Sequence, residues 1–201
     1  MSSAASLEVL HTDRLLLRRL AVHDAPVVRH LWTERDPRVP EHRRVDAAGR
    51  PTVDDVAARI RAEEGEPDLA LLAVERRGAG DLIGYCGLTA HGNGTSDEPE
   101  LAFELLRATH GRGYATEAAR AVVGWADAAG FRRLWAGVWD WNVASRRVLE
   151  KVGFRETDRV VARSAHGVSL LTVREVGAAS VRARTAAGDG GSREVDGGSP
   201  R

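Results

Sequence analysis

Glu100-Leu101-Ala102-Phe103-Glu104-Leu105-Leu106, followed after three residues by His110-Gly111-Arg112-Gly113-Tyr114-Ala115-Thr116-Glu117, is the stretch that decides the fold. In its first part, apolar Leu101, Phe103 and Leu105 alternate with Glu100, Ala102 and Glu104, which is the period of a strand with both carboxylates on one face. Downstream, Ala115, Ala118, Ala119, Val122, Val123 and Ala126 recur at helical spacing, and Gly130 stands as a C-terminal stop. The unit reads as strand, glycine loop, helix. Gly111 and Gly113 let the backbone approach a ligand closely, and the N–H groups of a helix's first turn have no intrahelical acceptors. Such a helix start suits an anion, most naturally a phosphate, although the glycines alone fit a mere tight turn equally well.

Two familiar phosphate motifs do not fit. A nucleotide-hydrolase loop ends in Gly-Lys-Ser/Thr, whereas Gly113 is followed by Tyr114 and Ala115. A dinucleotide fingerprint needs a small third residue where Thr116 stands and an acid about twenty residues on, where Arg133 stands.

Working outward, Leu15 to Leu17 reads as a first strand, and Asp24 caps a short helix carrying Val27, Val28, Leu31 and Trp32. Arg35 to Pro51 has little periodicity and predicts a long loop, a kind often functional. A second helix starts at Thr52 to Asp55 and is ended by Gly65 and Pro67. Leu69 to Glu75 and Leu82 to Leu88 read as a hairpin. Beyond the central helix, Leu134 to Trp139 is a strand, so a parallel βαβ unit spans the centre of a mixed sheet. Asn142 caps a short helix ending at Gly153, and Phe154, Val160 to Ala162 and Val168 to Val173 supply the last strands, as a hairpin through Ser164 to Gly167. Residues 1–176 therefore read as one α/β (α+β) domain. From Gly177 to Arg201 the composition turns to Gly, Ser, Ala, Arg and Asp, too poor in apolar surface to offset ordering entropy, which predicts a disordered tail.

Composition narrows the function. The 201 residues carry 29 basic and 29 acidic side chains, so no whole-protein field favours nucleic acid or an anionic membrane. The lone cysteine, Cys86, excludes an intramolecular disulfide and fits a reducing cytoplasm. It lies in a strand-like run with no base beside it in sequence, as a buried strand residue does, and His30, His42 and His91 are isolated in the manner of surface histidines. No apolar run approaches a membrane span, and no metal-ligand pattern emerges.

The Asn142 to Phe154 segment adds a second constellation. Ser145 falls on the inward stripe with Val148, Leu149 and Val152, while Arg146, Arg147, Glu150 and Lys151 face water. A back-bond to a carbonyl one turn earlier would explain the Ser145 hydroxyl as well as a cleft would. This helix follows the strand beside the Glu100 strand, so its start opens on the same end of the sheet as the glycine loop.

Taken together, Arg112-Gly113-Tyr114-Ala115-Thr116-Glu117-Ala118, then Asn142-x-x-Ser145-x-x-Val148-x-Glu150-Lys151-x-Gly153-Phe154, with Thr12-Asp13-Arg14-Leu15-Leu16-Leu17 upstream, resemble the GNAT superfamily of acetyltransferases, and most closely its RimJ/RimL-type N-acetyltransferases. The likeness covers about Leu7 to Val176. It implies a twisted mixed sheet flanked by helices and splayed between two parallel strands, with acetyl-CoA bound in the splay and no metal. The family's pyrophosphate signature maps onto His110 to Ala115, with Thr116 beside it, so backbone N–H groups of Gly111 to Ala115 would hold the pyrophosphate; His110 replaces the usual Gln or Arg. Asn142 becomes a cofactor contact. Ser145 becomes the group that protonates, or hydrogen-bonds, the leaving sulfur, because neither Tyr85 nor Tyr114 stands where the family carries its tyrosine acid.

For the base, Glu100 matches a catalytic glutamate of several members and Glu104 is the runner-up; along a strand their α-carbons lie about 13 Å apart, so at most one sits at the chemistry. Backbone N–H groups near Leu105 and Leu106 would hold the developing oxyanion. Trp139 and Trp141 read as core packing or as lining of an acceptor pocket. The resemblance implies direct acetyl transfer to a primary amine, a protein N-terminus or a small molecule, in the cytoplasm, with neither nucleic acid nor membrane as partner, and it admits a homodimer. A coenzyme A-binding module without catalysis is the alternative.

Overall fold

In a computed structural model, which describes residues 7–63, 69–90 and 92–175, the Glu100 segment is the hinge of the sheet. In chain order the elements are β1 (Val9–His11), β2 (Leu15–Arg19), α1 (Ala25–Thr33), α2 (Val53–Glu63), β3 (Leu71–Arg76) and β4 (Leu82–Thr89). Then follow β5 (Glu100–Leu105), α3 (Tyr114–Ala129), β6 (Arg133–Trp139), α4 (Val143–Lys151), β7 (Arg155–Ser164) and β8 (Gly167–Glu175). The described strands form one eight-stranded sheet in the order β1-β2-β3-β4-β5-β6-β8-β7. Only the β5–β6 pair is parallel; every other neighbour is antiparallel. The expected βαβ unit is β5-α3-β6.

Local chemistry explains most boundaries. The stripe Ala118, Ala119, Val122, Val123 and Ala126 of α3 is buried, and α3 packs across β2, β4 and β5. Gly130 closes the helix at φ 94°, a left-handed conformation that glycine adopts without a Cβ clash, and gives its N–H to Ala126 and Asp127 carbonyls. In the β3–β4 hairpin, a Cβ at Gly87 would stand 2.0 Å from the Ala70 carbonyl oxygen, so the close approach at that end requires glycine. Among the described strands and α-helices, β1 is the one absent from the sequence reading: three residues with a half-exposed pattern carry too little alternation to announce themselves, and pairing with β2 creates the strand. The last hairpin is longer than the sequence implied, because β7 begins directly after Phe154. The expected stops at Gly65 and Pro67, and the tail from Gly177, lie outside the described residues.

The largest core cluster joins β2, β3, β4, β5, β6, α3 and α4, with Leu15, Leu17, Leu72, Ile83, Leu88 and Leu134 fully buried. A smaller one, Ala25, Val56, Ala57 and Ile60, seals α1 against α2. Between them sits Asp24. It occupies the N-cap position of α1, as expected, yet its carboxylate does not bond the helix. Its oxygens instead accept Arg18 Nη1 (2.7 Å), Arg18 Nη2 (2.9 Å) and the Ala21 N–H (2.8 Å), and Arg18 also grips Glu75 of β3. The first helix is thereby tied to the sheet by a buried ion pair.

Burial works against charge on Asp24, but the Arg18 and Ala21 hydrogen bonds outweigh it and hold its carboxyl below the ordinary value of 3.8. A group whose folded pKa is depressed contributes stability above its unfolded pKa and loses it as pH falls. Asp24→Asn should therefore cost about 3 kcal/mol at neutral pH, read from urea denaturation, and the gap to the unaltered protein should close as the pH falls below about 4.

Candidate functional site

Strands β5 and β6 run parallel but pair at a single register position, Glu100↔Trp135, anchored by Trp135 N–H to the Pro99 carbonyl (2.9 Å). A continued ladder would next give the Gly137 N–H to a β5 carbonyl. It goes instead to Glu100 Oε1 (2.9 Å), while Glu100 Oε2 accepts the Asn93 backbone N–H (2.7 Å) and Asn93 Nδ2 (3.2 Å). The carboxylate is a wedge where the two strands part. Glycines make room for it: a Cβ would come 3.2 Å from Oε1 at Gly137 and 2.6 Å from Oε2 at Gly92, and at Gly94 one would stand 2.4 Å from the Glu100 nitrogen. A carboxylate has about four lone-pair sites, and among the described residues three N–H donors leave one open.

The splay opens toward the C-terminal ends of both strands, and two helices start there. After β5 a short 3-10 turn, Arg107–Thr109, leads into the glycine loop, where Gly111 and Gly113 take φ of 73° and 81°. The first helical bond of α3 runs from Glu117 N–H to the Gly113 carbonyl (3.0 Å). The N–H groups of Gly111 to Thr116 find no acceptor among the described residues, and Gly113 supplies no side-chain cap. Such a row of donors at a helix start is chemically suited to an anion. His110 does not join it: its ring turns back to the Leu105 carbonyl (2.8 Å), and because a carbonyl only accepts, Nε2 carries the proton.

The loop is braced from the other end of the sequence, a link the sequence did not reveal. Glu117 accepts Thr12 Oγ1 (2.6 Å), the Arg14 N–H (3.0 Å) and Arg14 Nε (2.7 Å). Arg14 Nη1 reaches the Arg112 carbonyl (3.1 Å), and the guanidinium lies 4.7 Å from the Tyr114 ring centroid. Burial works against charge on Glu117, but the bonds from Thr12 and Arg14 keep its carboxyl below the usual range.

At the start of α4, Asn142 Oδ1 accepts the Ser145 N–H (3.1 Å), which is the expected cap, and Asn142 Nδ2 has no partner among the described residues. The Ser145 hydroxyl makes no back-bond and likewise has no partner among them. Arg146, on the outward face, pairs with the exposed Glu156 and also reaches the Asp140 carbonyl.

Glu104 is held by Arg35 through Nε (2.8 Å) and Nη2 (2.5 Å), and the Tyr85 hydroxyl donates to it (2.8 Å). Burial and the nearby Glu104 charge push the Tyr85 hydroxyl well above its ordinary range, so it remains a neutral donor. One expectation is corrected. The Leu106 N–H is not exposed in the splay, because it pairs with the Ile83 carbonyl of β4 (2.8 Å). Successive strand residues point their N–H groups to opposite neighbours, so Leu105 and Phe103 are the ones that face β6.

Trp139 and Trp141 stack with centroids 6.2 Å apart and planes 7° apart, Arg38 lies 4.1 Å from the Trp141 centroid, and Trp141 Nε1 is bonded to the His166 carbonyl (2.8 Å). Cys86 is fully buried and burial pushes its thiol well up, which suits core packing. Among the described residues no group of three His, Cys, Asp or Glu is placed to hold a metal, and no helix is long and apolar enough to cross a membrane. His91 lies outside the described residues.

Residues 14–155 match the acetyltransferase (GNAT) domain family. The chain is 26% identical over 160 residues to an uncharacterised N-acetyltransferase of Bacillus licheniformis, p20, covering 75% of this chain and 84% of that one. Among solved structures, a Bordetella pertussis protein described as a GNAT-family acetyltransferase is similar at 28% identity and TM-score 0.65, over 83% of this chain and 99% of that one. A Salmonella typhimurium protein described as an acetyltransferase, solved with acetyl-CoA, shares the fold at 18% identity and TM-score 0.62, over 83% and 96% of the two chains.

Gly113→Asp should lower coenzyme A affinity at least tenfold by calorimetry, because it forces a side chain onto a left-handed position and a negative charge beside the open N–H row. Gly124→Ala, on the exposed side of α3 with open space around its Cβ, should leave affinity unchanged.

Proposed function

The chain belongs to the acetyltransferase (GNAT) family, and from that premise we propose that it moves acetyl from acetyl-CoA directly to a primary amine in a ternary complex, as a cytoplasmic enzyme of the RimJ/RimL-like branch. The observation that carries the reading is the coincidence, at one end of the sheet, of a parted parallel pair, an unpaired N–H row and an unpartnered serine hydroxyl. Bound acetyl-CoA supplies an activated thioester; the rest is the work of this chain's own residues.

The N–H groups of Gly111 to Ala115, with Thr116 beside them, cradle the diphosphate, and the Asn142 amide holds the pantetheine arm. The backbone N–H of Leu105 on the splay side polarises the thioester carbonyl and receives its growing negative charge. An acceptor amine enters as an ammonium and must lose a proton before its lone pair attacks. Glu100 takes that proton at its one open lone-pair site, through a water where the amine stands further off. Ser145 donates a hydrogen bond to the departing sulfur and relays a proton to it. Glu104, already gripped by Arg35 and Tyr85, orders the wall of the cleft and is the weaker candidate for base. A protein N-terminus and a small amine both fit this chemistry, and the wiring of Thr12 and Arg14 to Glu117 supports the proposed branch by giving its upstream motif a physical role.

Thiol release from acetyl-CoA across an amine panel tests the reaction; tight coenzyme A binding with no turnover on any amine would leave only a binding module. Glu100→Gln should lower kcat roughly 100-fold and remove the fall in rate at low pH that protonation of the base produces, and an unchanged pH–rate profile would exclude Glu100 as base. Ser145→Ala should lower kcat about tenfold or more with little change in coenzyme A affinity, read from steady-state kinetics beside calorimetry.

A further inference from the structure

Away from the splay, α1, α2 and the loop joining them enclose an open cavity of about 600 Å³ bordered by Trp32, His42, Arg44, Arg50 and Arg59. None of the three guanidinium groups makes an ion pair or side-chain hydrogen bond among the described residues. Three acids, Glu41, Asp46 and Asp55, share the rim; none is hydrogen-bonded or ion-paired to these guanidinium groups among the described residues, although the Arg50 and Arg59 charges act on the Asp55 carboxylate through space. Asp46 gives an oxygen to the Arg50 backbone N–H (2.8 Å), and Asp55 spends Oδ2 on the Thr52 N–H (2.8 Å) and hydroxyl (2.9 Å). The Arg44 Nε is buried and has no hydrogen-bond partner among the described residues. Buried polar groups are nearly always hydrogen-bonded, so an orphaned guanidinium N–H at the edge of a cavity marks the place of a missing acceptor.

We propose that this cavity binds a carboxylate- or phosphate-bearing small molecule, with Arg44 as its principal contact and Arg50 and Arg59 supplying further positive charge. A guanidinium fork matches either anion in a bidentate manner, and three guanidinium groups on one rim favour a charged oxygen group over a neutral one. The cavity is wired to the sheet. Arg35 stacks on Trp32 at 4.3 Å while gripping Glu104 of β5, and Arg59 lies 5.3 Å from the Trp32 centroid. The anion is either one end of the acceptor or a separate molecule that acts on turnover through this chain of contacts.

Calorimetric titration of inorganic phosphate, and separately of succinate, into full-length protein saturated with coenzyme A tests the site with the glycine loop already filled. Saturable binding is expected, weakened at least tenfold by Arg44→Gln with coenzyme A affinity unchanged; Arg50→Gln is a second variant on a more exposed side chain. If the anion belongs to the acceptor, Arg44→Gln raises KM at least tenfold for amines that carry a carboxylate or phosphate and leaves KM for uncharged amines alone. If it is a separate molecule, phosphate changes the turnover of an uncharged amine in the unaltered protein and not in Arg44→Gln. Absence of saturable binding by either anion, or equal affinity in the unaltered protein and both variants, overturns the proposal. Binding is read without turnover, so a protein inactive on every amine would leave this site standing.

Discussion

A parallel ladder that stops after one register position leaves backbone groups facing an empty gap, and a sheet tolerates this only if something holds the strands apart while satisfying the first groups exposed. The Glu100 carboxylate does both. It takes the Gly137 N–H that the ladder abandons and anchors the Asn93 turn beside it, in a space that Gly92, Gly94 and Gly137 keep clear. The cleft, the two helix starts on its rim and the orientation of Leu105 toward it depend on that parting. A base proposed at this position is therefore part of the frame as well, and its reactivity and its structural duty share one pair of oxygens.

The surrounding frame is held by charge pairs at few but decisive places. Arg18 and Asp24 fasten α1 to β2 and β3, and Arg35 and Glu104 fasten the segment after α1 to β5. The Arg174–Asp127 fork fastens β8 to α3. Through the Arg18 contact with Glu75, the Arg35–Glu104 pair and the Arg174–Asp127 fork, these charges join elements distant in sequence. Placing two such pairs around α1 gives the cleft a wall of defined position.

The fold was legible because its signals are local: alternation at Leu101, Phe103 and Leu105, the alanine and valine stripe of α3, and the glycine stops at Gly130 and Gly153. The glycine loop and the Asn142 cap were legible for the same reason, as motifs of a few residues with a fixed local outcome. What stayed hidden depends on distance in the chain. Nothing near Glu104 predicts Arg35, nothing near Glu117 predicts Arg14, and nothing near Glu100 predicts the Gly137 N–H. The facing of the Leu106 N–H was misjudged because one residue of register reverses it, and register is decided by the neighbouring strand. Ser145 lay between; its stripe was visible, but only the folded chain reveals that no carbonyl among the described residues takes its hydroxyl.

The contact between Thr12 and Glu117 spans 105 positions of the chain. A loop whose backbone is fixed by a partner so remote cannot be shaped early in folding, since closing so long a loop costs entropy that only later contacts repay. The row of N–H donors is thus among the last features to reach its final form. The bonds from Thr12 and Arg14 already aim these donors, so an anion bound there would spend little binding free energy on arranging them. Under the proposed function, affinity for coenzyme A would report how completely the junction of the first strand and the central helix has folded.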